Sequence, residues 1–474
     1  MRVWSNDERP PEPLGRYQGP RPTTGTPHNM SRDEIAGWRP DGLDTAETAL
    51  ARARRRMEAT GQWRKGQPMG RRFAVGCVAL EITQRCNLDC TLCYLSETSE
   101  AVLDVPLSEI FRRIDQIHAI YGDNCDVQVT GGDPTLRKRE ELVAIVQRIA
   151  ALGMRPSLIT NGIKATRELL AELAAAGLVD VAFHVDDTQQ RRGYADEIAL
   201  NALRRLYIDR ARGLGISIMF NTTVHQGNFA QVPTLVRFFV DHADVVRLAS
   251  FQLQADTGRG IVVGARSVLI TPDTTARLIE EGAGTRLNFG TPIGHARCNR
   301  YAASLVVGGR VHDLLDDQSL VADVLDVSTD IVYDRRRPRR SIAACARWAA
   351  MQPWLWRRGF VWAARKMWAM RHDVVRGRGR VHKLSFLIHN FMDACALEHD
   401  RIEACIFMAM TAQGPVSMCL HNARRDSFIL EPVEVESRGV KRRWNPLSGF
   451  TDAPTKTRRI LAKGRARLPR EVLP

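Results

Sequence analysis

Between Val75 and Gln252, short apolar runs alternate with amphipathic stretches at a nearly even spacing. Six runs read as strands: Val75–Ile82, Asp126–Val129, Pro156–Thr160, Asp180–Val185, Ser217–Thr223 and Val245–Gln252. Between them, apolar residues recur at helical spacing near Leu107–Ile120, Arg139–Leu152, Arg167–Ala176, Glu197–Arg212 and Val232–Asp241. Strand–helix repeats of this length predict parallel βαβ units, and six of them fit a partial (β/α)6 barrel in the α/β class. Chemistry in such a barrel sits at the C-terminal ends of the strands.

Outside this region the pattern changes. Residues 1–45 are rich in Pro, Gly, Arg and Asp with no period, which predicts disorder, and a basic helix is expected over Thr45–Gln62, within a lead-in of residues 46–74. Barrel-type repeats fill 75–255. Over 256–437 the chain reads as an α+β module: a hairpin across Tyr301–Leu315, helix over 340–376, and a second hairpin from Ile406–Met410 to Val416–Met418. A basic tail follows from 438 to 474.

Charge sharpens this division. The net charge is +15, yet Arg335–Lys383 carries fifteen Lys/Arg against one acid and Arg438–Arg470 eleven against one, so the remainder is acidic. Segregation of this kind points to a polyanionic partner rather than to solubility. The first segment also holds Trp348, Trp354, Trp356, Trp362 and Trp368. Trp and Arg at helical spacing suit an anionic membrane surface; packing on the barrel and, less favoured, stacking on nucleic acid compete with it. No apolar run is long enough to span a bilayer and no leader is evident, so a cytoplasmic protein is expected, peripheral to the inner membrane surface if that face meets lipid.

The strongest chemical signal follows the first strand. Cys86, Cys90 and Cys93 form a CxxxCxxC run, whose three thiolates can hold three corners of a [4Fe–4S] cluster and leave the fourth iron open for a ligand. A zinc knuckle would need a fourth ligand nearby, and downstream only His118 offers one, on a predicted helix. After the second strand comes Thr130-Gly131-Gly132-Asp133-Pro134, where glycines let a ligand approach the backbone. Polar residues stand at further strand ends: Asn161, His184 with Asp186, Asn221 and Gln252. Asn161 could equally be a helix cap, His184 a satisfied core histidine, and Gln252, Gln254 and Arg259 structural hydrogen-bonders.

Over Val75–Gln254 the chain resembles the radical S-adenosylmethionine (SAM) superfamily. That resemblance implies a TIM-like barrel and a [4Fe–4S] cluster on Cys86, Cys90 and Cys93. The open iron would chelate SAM, and reductive cleavage would give a 5′-deoxyadenosyl radical. It implies SAM contacts from Tyr94, Thr130, Gly131, Gly132, Asp133, Asn161, His184, Asn221 and Gln252, and an electron donor such as ferredoxin or flavodoxin. Two departures stand out: Leu92 occupies a position that is usually aromatic, and Asp133 replaces a glutamate.

Cys298 precedes the first late hairpin, Cys405 and Cys419 flank the second, and Cys395 lies between. These four are expected to hold a second [4Fe–4S] cluster, against the alternative of buried thiols; Cys77, Cys125 and Cys345 read as core or incidental. The run His389–Ala394, with Asp400-Arg401, Gly414 and Cys419–Asn422, resembles the tetraether lipid synthase group, related to the molybdenum-cofactor-type and SPASM-type branches. That group's N-terminal rubredoxin-like cysteines have no counterpart before Cys77. The expected activity is hydrogen abstraction from an unactivated carbon of a lipid or other apolar small-molecule substrate, leading to C–C bond formation or a related alkyl-chain modification. The alternatives are a peptide- or cofactor-modifying enzyme and a non-catalytic iron–sulfur scaffold or nucleic-acid binder.

Overall fold

A computed structural model describes residues 28–40, 46–257, 269–328, 331, 338–437 and 440–450. Among the described residues, helices α1 (Arg32–Gly37) and α2 (Ala49–Ala59) precede the barrel. Strands β1 (Cys77–Thr83), β2 (Asp126–Gly131), β3 (Arg155–Thr160), β4 (Asp180–His184), β5 (Ser217–Val224) and β6 (Val246–Leu253) pair in chain order, all parallel. Helices α3 (Leu107–Tyr121), α4 (Arg139–Ala151), α5 (Arg167–Ala175), α6 (Asn201–Ala211) and α7 (Val232–Asp241) alternate with them. The α/β barrel expected from the repeats is therefore present.

A two-residue period along each strand divides the barrel. On β1, Val78, Leu80 and Ile82 are fully buried in one continuous core with Ile110, Ile114 and Ile117 of α3. Ala79 and Glu81 face the other way and line the lumen. Phe183, Phe220 and Phe239 continue the outer core, with successive ring centroids 5.8 and 5.5 Å apart.

The sheet does not end at six strands. After α8 (Pro272–Ala283) come β7 (Asn299–Val307), β8 (Arg310–Asp313), α9 (Gln318–Val327), α10 (Pro338–Ala350) and α11 (Pro353–Arg376). Strand β9 (Val381–Asn390) then pairs parallel with β6, and β10 (Phe407–Thr411) parallel with β1. Eight parallel strands result, flanked by the antiparallel pair β7–β8 on one side and β11 (Gly414–Ser417) on the other. The C-terminal region thus builds the sheet rather than sitting behind it. A small separate sheet, β12 (Val433–Ser437), β13 (Val440–Asn445) and β14 (Gly449–Phe450), follows.

Three expectations need correction. Part of the N-terminal segment is ordered: Ser31 and Glu34 form a capping box that starts α1, and Met30 and Ile35 pack against Leu397 and Leu420. The helix expected over 340–376 is broken at Met351-Gln352, because Pro353 lacks an N–H and opens a new helix. Strand β9 lies where no strand is predicted. Arg259, Arg335–Arg337 and residues 451–474 of the basic tail fall outside the described residues.

One buried ion pair props the loop after β4. Arg204 is fully buried, pairs with Glu197, and donates to the carbonyls of Val185 at 2.8 Å and Glu197 at 2.9 Å. Glu197 in turn accepts from the Asp187 amide at 3.1 Å. Removing one partner of a buried pair strands the other, so Arg204→Ala is expected to cost about 3–5 kcal/mol, measurable by urea unfolding.

Candidate functional site

The CxxxCxxC loop leaves the C-terminal end of β1 and folds over the barrel mouth. Cys93 is buried, Cys86 and Cys90 are half-buried, and all three are outside any disulfide. The loop is held at several points. The Thr91 amide donates to the Thr188 carbonyl at 2.9 Å, and the Cys86 amide to Glu100 Oε1 at 3.2 Å. The Tyr94 hydroxyl donates to the Gly131 carbonyl at 2.7 Å, and the Asn161 side-chain amide lies 3.9 Å from Cys86 Sγ. Among the described residues no three His, Cys, Asp or Glu side chains converge on one metal ion. A single zinc would need that convergence, whereas a cubane cluster gives each cysteine its own iron and tolerates wider spacing. The three thiols fit the cluster.

Inside the barrel, the inward positions become polar toward the C-terminal ends. His184, Asn221 and Ser250 stand side by side on β4, β5 and β6, and one step higher Thr223, Gln252 and His389 do the same on β5, β6 and β9. These residues, with Tyr94, Thr130 and Glu81, line a lumen cavity of about 230 Å³. Ser250 Oγ is buried with no hydrogen-bond partner among the described residues, so a polar ligand would satisfy it. Of the predicted SAM contacts, Tyr94, Thr130, His184, Asn221 and Gln252 line this cavity.

The others serve the cluster loop. A Cβ on Gly131 would lie 2.0 Å from the Thr83 carbonyl oxygen, and one on Gly132 1.9 Å from that of Arg85. These glycines let the end of β2 pass against the start of the cysteine loop, so the close approach is to protein backbone. Asp133 is fully buried and accepts from Thr160 Oγ1 at 2.9 Å and the Asn161 amide at 2.9 Å. It joins the ends of β2 and β3, and so fixes Asn161 beside Cys86.

Two charged groups shape the lumen. Burial pushes the Glu81 carboxyl up, but Arg425, 2.6 Å away and fully buried, outweighs it and holds the group below the ordinary carboxylate value. The Arg425 guanidinium also lies 4.6 Å from the centroid of the Tyr94 ring. Burial lowers the His184 pKa, yet Asp186, 2.7 Å from Nε2, outweighs this and raises it above the ordinary 6.5. His184 therefore contributes stability at low pH that is lost as pH rises through its raised value. In Asp186→Asn the two largest raising influences are lost and only Glu197 opposes burial and Arg191, so His184 should titrate lower than in the parent and its stabilisation at low pH should shrink; NMR titration of the ring proton measures the shift.

Beneath β9 and β10 lies a second, smaller cavity of about 20 Å³, lined by Cys298, Cys405 and Cys419 together with His389 and Arg401. Arg401 Nε donates to Cys298 Sγ at 3.2 Å, and the Met392 amide to Cys419 Sγ at 3.5 Å. Burial pushes the Cys298 thiol up to about 11, with Arg401 opposing. Burial also lowers His389 to about 3, leaving a neutral ring 4.4 Å from that of Phe407. Cys395 is exposed and does not line this cavity, so three of the four predicted ligands come together and the fourth does not. The space holds about one water, so a cluster would need these side chains to part. Cys77 and Cys125 are buried and Cys345 is half-buried.

The family model described as Radical SAM superfamily matches residues 80–239. Those residues are a radical SAM domain. The matched segment holds β2–β5, most of β1 and the cysteine loop, the part of the barrel that carries the first site. The cofactors of such a domain are a [4Fe–4S] cluster and SAM, and Cys86, Cys90 and Cys93 are the residues that would hold the cluster here. Among curated relatives, a PqqA peptide cyclase of Bradyrhizobium diazoefficiens is 30% identical over 217 residues, 43% of this chain and 53% of that protein. A 7,8-dihydro-6-hydroxymethylpterin dimethyltransferase of Methanocaldococcus jannaschii is 27% identical over 212 residues, 43% of this chain and 41% of that one. The chain thus spans about half the length of the relatives it matches. Among solved structures, Streptococcus suis SuiB has a TM-score of 0.33 at 15% identity, covering 43% of this chain and 45% of that one, too distant to carry the assignment further.

The inward residues Glu81, Gln128, Ser250, His389 and Asn422 also line the lumen and are not among the predicted contacts. For Gln128 and Ser250 the signal lies in the sequence, two residues before Thr130 and Gln252 on the same strand face.

Proposed function

We propose that this chain cleaves SAM reductively and uses the resulting radical on a polar, peptide-like substrate held in the barrel lumen. The observation that carries the proposal is the three-cysteine loop seated over a lumen whose rim is polar on β4, β5, β6 and β9. With cluster and SAM bound, they supply a 5′-deoxyadenosyl radical that abstracts hydrogen from carbon. The protein's part is binding, orientation and exclusion of water. Cys86, Cys90 and Cys93 hold the cluster, and Asn161, fixed by Asp133, orients Cys86. Thr130, Asn221 and Gln252 offer hydrogen bonds to SAM. His184, whose protonated form Asp186 favours, can meet a carboxylate or carbonyl of cofactor or substrate.

A peptide backbone suits this lumen better than an alkyl chain, which would leave the buried Ser250 hydroxyl without a partner. Two further points support the reading: the name of the Bradyrhizobium relative, and Cys298, Cys405 and Cys419 gathered beside the lumen, which we assign to a second cluster. A low-potential carrier such as ferredoxin or flavodoxin would supply the electron. The lipid-modifying reading, with its tetraether synthase resemblance, keeps one observation of its own: an apolar cavity beside α11, away from the lumen-lining residues. Reconstituted protein, SAM and dithionite, incubated with perdeuterated peptide or lipid fractions of cells, separates the two. Deuterium entering 5′-deoxyadenosine from the peptide fraction is expected; transfer from lipid alone would overturn the peptide reading.

A further inference from the structure

The five tryptophans of the basic region divide into two sets. Trp348 and Trp362 donate to the protein, to the Val327 carbonyl at 2.7 Å and to Asp316 at 2.9 Å, and Trp356 bonds the Ala349 carbonyl. All three line an apolar cavity of about 920 Å³ between α9, α10, α11 and the β7–β8 hairpin, near the upper end for small-molecule sites. Trp354 and Trp368 do not line the cavity and are 47% and 70% exposed, with Trp354 donating to Gln352 Oε1 at 3.1 Å; Trp356, at the cavity rim, is itself 57% exposed.

They belong to a stripe. Trp354, Phe360, Val361, Ala364, Met367, Trp368 and Val375 recur along α11 at steps that keep them on one side, with Arg357 and Arg371 among them, and every one is exposed. Phe360, 75% exposed, also lines the cavity, so the stripe and the cavity mouth adjoin. On α11, Arg358 pairs with Asp323, Arg365 and Lys366 with Asp316, and Arg376 with Asp373. Arg357 and Arg371, within the stripe, pair with no acid among the described residues. From Arg339 to Lys383 there are twelve Lys/Arg and one acid, Asp373, which is itself buried against His312 and Arg376. An exposed apolar stripe set among uncompensated cations complements an anionic bilayer, with rings at headgroup depth and guanidiniums on phosphate. No described helix is long and apolar enough to cross a membrane.

We propose that this face of α11 docks on an anionic lipid bilayer, and that the cavity behind it takes one alkyl chain of a docked lipid. The cavity walls, including Leu320, Val321, Leu325 and Leu355, are almost wholly aliphatic or aromatic, which suits a hydrocarbon chain.

Co-sedimentation of the full chain with vesicles tests the docking. Binding is expected to phosphatidylglycerol-containing vesicles, weakening as salt rises, with little to pure phosphatidylcholine. Trp354→Ala/Trp368→Ala and Arg357→Gln/Arg371→Gln should each weaken it by about tenfold or more. Equal binding to neutral vesicles, or none to either, overturns the docking. So does self-association abolished by the tryptophan pair, or displacement of vesicles by a single-stranded oligonucleotide.

A pyrene-labelled long-chain fatty acid tests the cavity. Saturation near one per chain is expected, lost in Ala363→Trp and kept in the tryptophan pair. Retention in Ala363→Trp overturns the cavity assignment, and Val324→Trp on the facing wall replaces that variant if it fails to fold. All these variants should still release 5′-deoxyadenosine without substrate, so failure of docking and failure of the radical assignment are distinguishable.

Discussion

Cys90→Ala is expected to eliminate 5′-deoxyadenosine release while leaving the fold intact. Three cysteine ligands are the minimum that holds a cubane with one open corner, so removing one does more than weaken an affinity. The loop is anchored by the Thr91 and Cys86 amides on the Thr188 carbonyl and Glu100 and by the Tyr94 hydroxyl on the Gly131 carbonyl, contacts that do not involve the Cys90 thiol. Circular dichroism should therefore match the parent. Anaerobic reconstitution followed by chromatography of the SAM cleavage products gives the measurement. Turnover surviving at even a tenth of the parent rate would remove the cluster from the proposed reaction.

Cys405→Ala and Cys419→Ala are expected to lower reconstituted iron from about eight to about four per chain, while cleavage of SAM without substrate persists. Coupled substrate modification should fall with the iron. Cys395→Ala is the informative control: its thiol is exposed and outside the small cavity, so iron content should not change. Iron near four in the parent chain would mean that the three thiols are only buried neighbours. Iron and sulfide analysis decides this independently of any activity.

The barrel strands were legible because each apolar run is short and followed by a helical period. Strand β9 was not. Its inward and outward residues alternate cleanly from Leu384 to His389, but it opens with Val381-His382-Lys383 after Arg378-Gly379-Arg380, and that charge hides the start of the period. Spacing alone located the first cysteine site, since all its ligands lie in one loop. In the second, the hairpin flanked by Cys405 and Cys419 is a local pattern, but the arrival of Cys298, more than a hundred residues earlier, follows from strand pairings that no local pattern records. Asp133 marks another limit. Its position at a strand end was readable, but its burial among Thr160 and Asn161 follows from the way β3 lies beside β2.

The seating of β10 against β1 and of β9 against β6 has a consequence for biosynthesis. When the ribosome has released the sixth strand, both margins of the nascent sheet still lack a neighbour, and one is supplied only by residues beyond Ile406. Unpaired margins invite pairing with other chains, and contacts this distant in sequence form slowly. Metal insertion at the early cysteine loop therefore competes with completion of the far end of the polypeptide, and a fragment stopping near residue 255 should aggregate rather than mature.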